Sequence, residues 1–144
     1  MSTRESAGYS GTPLAKKLGL KSDLRVLTSG VPGDYAALTD FDLSTCKVLK
    51  RPGAFDFAHA VVASRAELQR ALETLDPHLD DAGMIWISWP KKASKVATDL
   101  TEDGIRELAL PRGLVDVKVC AVDAIWSGLK LVRRVTNRKR TGKD

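Results

Sequence analysis

The amino-acid sequence predicts an α/β protein on a Rossmann-like open sheet, mainly parallel, of about five to six strands, with a C-terminal antiparallel hairpin. Three observations carry that expectation. FDFAHAVV (55–62) is a nearly continuous apolar run bounded by turn residues, as in a strand covered on both faces. SRAELQRALETLDPHLDDAG then sets Ser64 and Glu67 at capping-box spacing and lays Ala66, Leu68, Ala71, Leu72 and Leu75 along one helical face. MIWISW (84–89), a capped helix in TDLTEDGIRELALPRG and the alternating LVDVKVCAV repeat the order, and right-handed crossovers stack such helices on a parallel sheet.

The remaining elements follow from local chemistry. In SGTPLAKKLGLK, Thr12 offers an N-cap, Pro13 is preset for the first helical position and Gly19 supplies a stop, so a short helix from about Pro13 to Leu18 is expected. LRVLT (24–28) reads as a strand ending in the turn-forming SGVPGD, and DYAALTDF has room for about two helical turns. CKVLK (46–50) is a weak strand punctuated by RPG. The long helical unit is expected to end at Gly83, just before MIWISW. In the second capped helix Thr101 is the cap, Glu102 and Asp103 suit the positive end of the helix dipole, and Pro111 and Gly113 terminate it. LVDVKVCAV turns Val115, Val117, Val119 and Ala121 to one face, against Asp116, Lys118 and Cys120. LKLVRRV (129–135) is its antiparallel partner after a hairpin turn at Trp126-Ser127-Gly128.

With 43% hydrophobic and 28% charged residues in 144, the chain can bury a core without disulfides or a structural metal. Cys46 and Cys120 have neither redox nor zinc spacing and read as buried structural thiols. No apolar run approaches the roughly 18 residues of a bilayer span, and MSTRESAGYSG lacks the apolar stretch of a secretory signal. A cytoplasmic protein without a membrane partner is expected. The net charge of +5 is concentrated in RRVTNRKRTGKD. The chain therefore reads as one α/β domain over 1–135 and a basic tail over 136–144. In that tail Arg138, Lys139 and Arg140 are candidates for nonspecific, salt-sensitive contact with nucleic acid phosphates, against the plainer reading of a solvated terminus.

In open α/β sheets ligands collect outside the carboxyl ends of the strands. Three such ends stand out: Ser29 and Gly30 in TSG, residues 63–65, and SWPKKASK at 88–95. Pro90 is expected to turn the chain out of the sheet, because it has no N–H for the ladder. Lys91, Lys92 and Lys95 then bring positive charge to the edge, and Ser88, Ser94 and Thr98 bring hydroxyls. Trp89 can stack on a ring, and the N-terminus at Thr101 adds unpaired N–H groups. A phosphate-bearing small molecule or an acidic protein surface suits that set; the plainer alternative is a solvated loop with a core tryptophan. No catalytic set is legible, since Ser127 lies between two strands rather than in a nucleophile elbow. His59, inside an apolar strand, and His78, on the long helix, have no partners at metal spacing.

Several blocks are distinctive enough to carry a resemblance. GYSGTPLAKKLG, ISWPKKASKV, DLTEDGIREL and GLVDVKVCAVDAIWSGLKLVRR resemble a family of small bacterial proteins classed as a domain of unknown function, from Gly8 to Arg134. More loosely, the second half is similar to the latter part of S-adenosylmethionine-dependent methyltransferase folds, in its strand and helix order and its terminal antiparallel hairpin. That resemblance implies a glycine-rich loop after the first strand, holding the methionine portion of the cofactor, and an acidic residue ending the second, holding the ribose. Here the first strand runs into TSGVPGDY, with Gly30 and Gly33 but no GxG, and the second ends KVLKR without a carboxylate. A parallel crossover unit takes about 30 residues, and the stretch from Ser29 to Ala54 is shorter than that. A shortened methyltransferase-like scaffold without the usual cofactor site is implied, and no cofactor is expected. Three functions remain in competition: a non-catalytic binding or regulatory module for an anionic ligand or acidic partner, a small methyltransferase-like enzyme with an unusual cofactor pocket, and nucleic-acid attachment through the tail.

Overall fold

Capping residues and apolar spacing set most element boundaries in the computed structural model, which describes residues 14–31 and 33–134. Helix α1 (Leu14–Leu18) buries Leu14, Ala15 and Leu18 and stops at Gly19, whose φ of +80° is the left-handed position glycine adopts without steric cost. Strand β1 (Arg25–Ser29) follows, then α2 (Tyr35–Thr39), capped by the Asp34 carboxylate accepting from the Ala37 N–H, and the short β2 (Lys47–Val48). The order continues with β3 (Phe55–Val61), α3 (Arg65–Leu75), β4 (Leu79–Pro90), α4 (Glu102–Ala109), β5 (Leu114–Ala121) and β6 (Trp126–Arg133). Both longer helices begin on the caps the sequence offers. Ser64 Oγ accepts from the Glu67 N–H at 3.1 Å, Glu67 accepts from the Ala63 N–H at 2.6 Å, and Thr101 Oγ1 accepts from the Gly104 N–H at 3.0 Å.

The six strands form one open sheet in the order β2-β1-β3-β4-β6-β5. β2, β1, β3 and β4 are mutually parallel, and β6 inserts antiparallel between β4 and β5. The Rossmann-like α/β expectation therefore holds, with the hairpin at the C-terminal edge. Because the chain steps outward from β1 to β2 and then returns to the other side of β1 as β3, the strand order reverses between β1 and β3. Alternate residues of each buried strand feed two cores. Leu68, Leu72 and Leu75 of α3 and Ile105 of α4 pack on Ala58, Ala60, Ile85 and Ile87, while α1 and Tyr35 of α2 pack on Val26, Phe57 and Trp86. Each fully buried large apolar side chain contributes roughly 1.5–3 kcal/mol. The Trp86 indole N–H also donates to the Leu18 carbonyl at 2.7 Å, joining the sheet to α1 across 68 residues of sequence.

Several boundaries differ from the sequence reading, each for a nameable reason. α3 ends at Leu75 because Asp76–His78, with Pro77, tighten into a 3-10 turn that carries His78. The polar LDDAG is therefore strand rather than helix. Leu79 pairs with Phe55 and Met84 with Phe57, so three more residues on β4 than on β3 are absorbed in an irregularity, and Gly83 lets the backbones pass: a Cβ there would lie 3.0 Å from the Asp56 carbonyl oxygen. Trp126, Ser127 and Gly128 lie within β6, and the turn precedes them, held by the Asp123 carboxylate accepting from the Ile125 and Trp126 N–H groups at 2.8 Å. β5 shifts register between Asp116 and Lys118, which breaks the expected alternation and leaves Val117 and Val119 exposed on an edge strand. Cys46 and Cys120 are free thiols and only half-buried, not core residues. The Thr12 cap, Pro13 and the tail over 136–144 lie outside the described residues.

Candidate functional site

The parallel register brings three strand ends to one rim. Ser29 pairs with Ala60, and Val61 with Ser88, so β1, β3 and β4 terminate nearly level, with β3 between the Ser29 and Lys91 segments. Pro90 ends the ladder on one side only. The Val62 N–H bonds the Ser88 carbonyl at 2.9 Å, and the next donor toward β3 would come from residue 90, where proline has none. On the other side Pro90 pairs with Trp126, and the Lys91 N–H donates to the Ile125 carbonyl at 2.7 Å. The chain leaves the sheet one residue later than the sequence suggests.

The hydroxyls expected to face a ligand at this end are occupied by the fold. Ser88 is completely buried, with Oγ 2.7 Å from His59 Nε2. Ser94 Oγ donates to the Lys91 carbonyl at 2.6 Å and accepts from the Val96 N–H, and Thr98 Oγ1 donates to the Ala63 carbonyl at 2.6 Å and accepts from the Leu100 N–H. The start of α4 is likewise closed. Thr101 takes the Gly104 N–H, and the Arg65 guanidinium lies so near that a Cβ on Gly104 would be 2.8 Å from its Nη1. Trp89 belongs to the α3/α4 core and is 6% exposed. Its edge, with Lys91 and Lys92, lines a crevice of about 500 Å³ together with Asp99 and Glu102. Both carboxylates have partners: Asp99 accepts from the Arg65 N–H at 2.8 Å, and Glu102 pairs with Arg106 at 3.1 Å. Lys92 and Lys95 are exposed, and Lys95 takes a left-handed φ of +62° after a single 3-10 turn. Arg138, Lys139 and Arg140 fall outside the described residues.

The other half of the rim contains what the sequence reading passed over. Between the ends of β1 and β2 and the flank of α3 lies a crevice of about 440 Å³, lined by Thr28 and Ser29, by Lys50 and Arg51 just after β2, and by Arg70 of α3. Gly30 makes the turn at φ +69° and closes against β3: a Cβ there would sit 2.6 Å from the Val61 carbonyl oxygen, so no other residue fits. KVLKR marks the basic strand end in the sequence, but nothing there announces that Arg70, on another element, faces the same space.

Also missed was a buried polar relay. The Tyr35 hydroxyl is 2.7 Å from His59 Nδ1, and His59 Nε2 is 2.7 Å from Ser88 Oγ, so one donor and one acceptor on a neutral imidazole satisfy both hydroxyls. Burial pushes His59 down to about 4 and raises the Tyr35 phenol above its ordinary value. Ser88 has no path to solvent, so this Ser, His and Tyr set bonds α2 to the sheet and presents no nucleophile. Among the described residues no group of three His, Cys, Asp or Glu side chains is placed to hold a metal, and no helix is long and apolar enough to cross a membrane.

No protein-family model and no curated protein matches the chain. Solved structures do. A putative type 11 methyltransferase from Sulfolobus solfataricus superposes with a TM-score of 0.60 over 89% of this chain and 94% of its own, at 15% identity. The N-methyltransferase NodS from Bradyrhizobium japonicum gives 0.58 over 85% and 93%, at 13% identity. LepI in complex with S-adenosylmethionine gives 0.53 at 15% identity over 84% of this chain, which spans only 39% of that larger protein. The fold is thus that of S-adenosylmethionine-dependent methyltransferases. The cofactor's usual holding groups do not fit: the residues after β2 are Lys50 and Arg51 where the resemblance calls for a carboxylate, and the loop after β1 is drawn tight against Val61.

Proposed function

We propose that the protein is a methyltransferase-like protein with an unusual ligand pocket at the rim of β1 and β3, rather than a module unrelated to that fold's chemistry. The supporting observation is the coverage of the likeness: nearly the whole of two small methyltransferase-fold chains is matched, not one shared motif. The crevices at the strand ends lie where ligands of open α/β sheets collect. S-adenosylmethionine carries a net positive charge, whereas S-adenosylhomocysteine is neutral overall, and the basic rim favours the latter. Calorimetry of the purified chain is expected to show S-adenosylhomocysteine binding at least about threefold more tightly than S-adenosylmethionine. Silence toward both at millimolar concentration removes the enzyme reading.

A second reading is a non-catalytic surface for an acidic partner, favoured by the exposure of Lys92 and Lys95 beside Lys91. Replacing Lys91, Lys92 and Lys95 together by alanine is expected to abolish capture of that partner, and unchanged capture refutes this reading. Attachment of nucleic acid through Arg138, Lys139 and Arg140 stays a sequence-level expectation, tested by heparin retention of the chain truncated at Thr136.

A further inference from the structure

We infer that the crevice between β1, β2 and α3 is a site for a phosphate-bearing small molecule of about mononucleotide size. Five groups converge on it from three elements. Lys50 and Arg51 follow β2, Arg70 projects from α3, and Thr28 and Ser29 end β1. The three cations are exposed, and among the described residues neither they nor the two hydroxyls have a side-chain partner within the protein. Of the other described arginines, Arg25, Arg65, Arg106, Arg112 and Arg133 are in ion pairs, and Arg134 is not. Among the described residues Glu67 is the only carboxylate in the lining, and its Oε1 is engaged by the Ala63 N–H at 2.6 Å.

Three like charges around one concave space repel one another, and a dianion removes that repulsion. Two guanidinium forks and an ammonium match the several oxygens of a phosphate better than the two of a carboxylate, and the hydroxyls supply further donors. Leu27, Leu49, Val62 and Leu75 give the same crevice an apolar wall on which the rest of the molecule can lie. Its position agrees with the topology, since strand order reverses between β1 and β3 and ligands of open α/β sheets sit at that reversal. The volume of about 440 Å³ suits a small molecule rather than a duplex or a protein surface. The crevice is one of the two strand-end crevices named above, and the ligands tell the two readings apart, because the adenosyl ligands named there carry no phosphate.

The test is a two-dimensional amide NMR titration of the full chain with inorganic pyrophosphate, adenosine monophosphate and uncharged adenosine. Saturable shifts are expected at residues 28–30, 50–53 and 67–74 with pyrophosphate and with the nucleotide, which binds more tightly because its ring covers the apolar wall. Adenosine alone should bind at least about tenfold more weakly than the nucleotide. Arg51→Glu with Arg70→Glu is expected to weaken pyrophosphate by at least about tenfold, while alanines at Lys91, Lys92 and Lys95 leave it unchanged. Arg70→Gln repeats the measurement if charge reversal disturbs the spectrum. Shifts centred on residues 91–95, affinity indifferent to the arginine variants, or no saturation by about 10 mM overturns the assignment. A negative result with S-adenosylhomocysteine does not bear on it.

Discussion

The two ends of the rim carry similar charge and opposite bookkeeping. Beside β4 and α4, the lysine-rich loop is surrounded by groups that already have partners: Ser88 with His59, Ser94 with Lys91, Thr98 with Ala63, Asp99 with Arg65. Beside β1 and α3, Lys50, Arg51 and Arg70 share a crevice with the Thr28 and Ser29 hydroxyls, and among the described residues these hydroxyls have no partner. Among those same residues the cations at both ends of the rim are without ion pairs, so the contrast lies in the hydroxyls. A basic run in a sequence is therefore a weak pointer to a site. What separates the two ends is that one ties its hydroxyls to the fold and the other leaves them, beside exposed cations, open to a crevice.

The sharpest way to break this comparison is through Trp89. If the β4 end is structural, Trp89→Ala empties part of the α3/α4 core and should cost about 3–5 kcal/mol in denaturant unfolding. A loss below about 1 kcal/mol would mean that the indole is available to a ligand and that the two ends are alike.

Next in size is the relay through Ser88. His59 is held near 4 when folded but titrates at its ordinary 6.5 when unfolded. As pH falls below that unfolded value, the unfolded chain takes up a proton that the folded chain refuses, so stability declines from about pH 6.5 to about pH 4 and is fully present above. The contribution lost is about 3 kcal/mol. His59→Gln should flatten that part of the pH profile relative to the parent while lowering stability near neutrality, because Gln bridges Tyr35 and Ser88 with poorer geometry. A variant whose profile parallels the parent's would show that the relay is not what titrates.

The smallest effect belongs to the lysines. Replacing Lys91, Lys92 and Lys95 by alanine should alter stability by no more than about 0.5 kcal/mol, whatever it does to a partner. A larger change in thermal unfolding would show that their stems brace the turn.

Local signals carried the fold a long way. Ser64 and Thr101 announced their helices, and the apolar run of β3 announced a buried strand. What failed depends on partners distant in sequence. LDDAG became strand because Phe55 offers Leu79 a neighbour, and β5 lost its alternation to a register shift against β6. Pro90 could be read as a stop only for the β3 side, since nothing local tells which edge of a strand a missing donor faces. The site was less legible for the same reason. Lys50 and Arg51 were visible as a basic strand end, but Arg70 reaches them only after α3 has docked.

The bond from the Trp86 indole to the Leu18 carbonyl also bears on how the chain is made. A five-residue helix has too few turns to persist alone in water. Helix α1 therefore gains this anchor to the sheet only once the middle of β4 has been made, some 68 residues after Leu18 leaves the ribosome's catalytic centre.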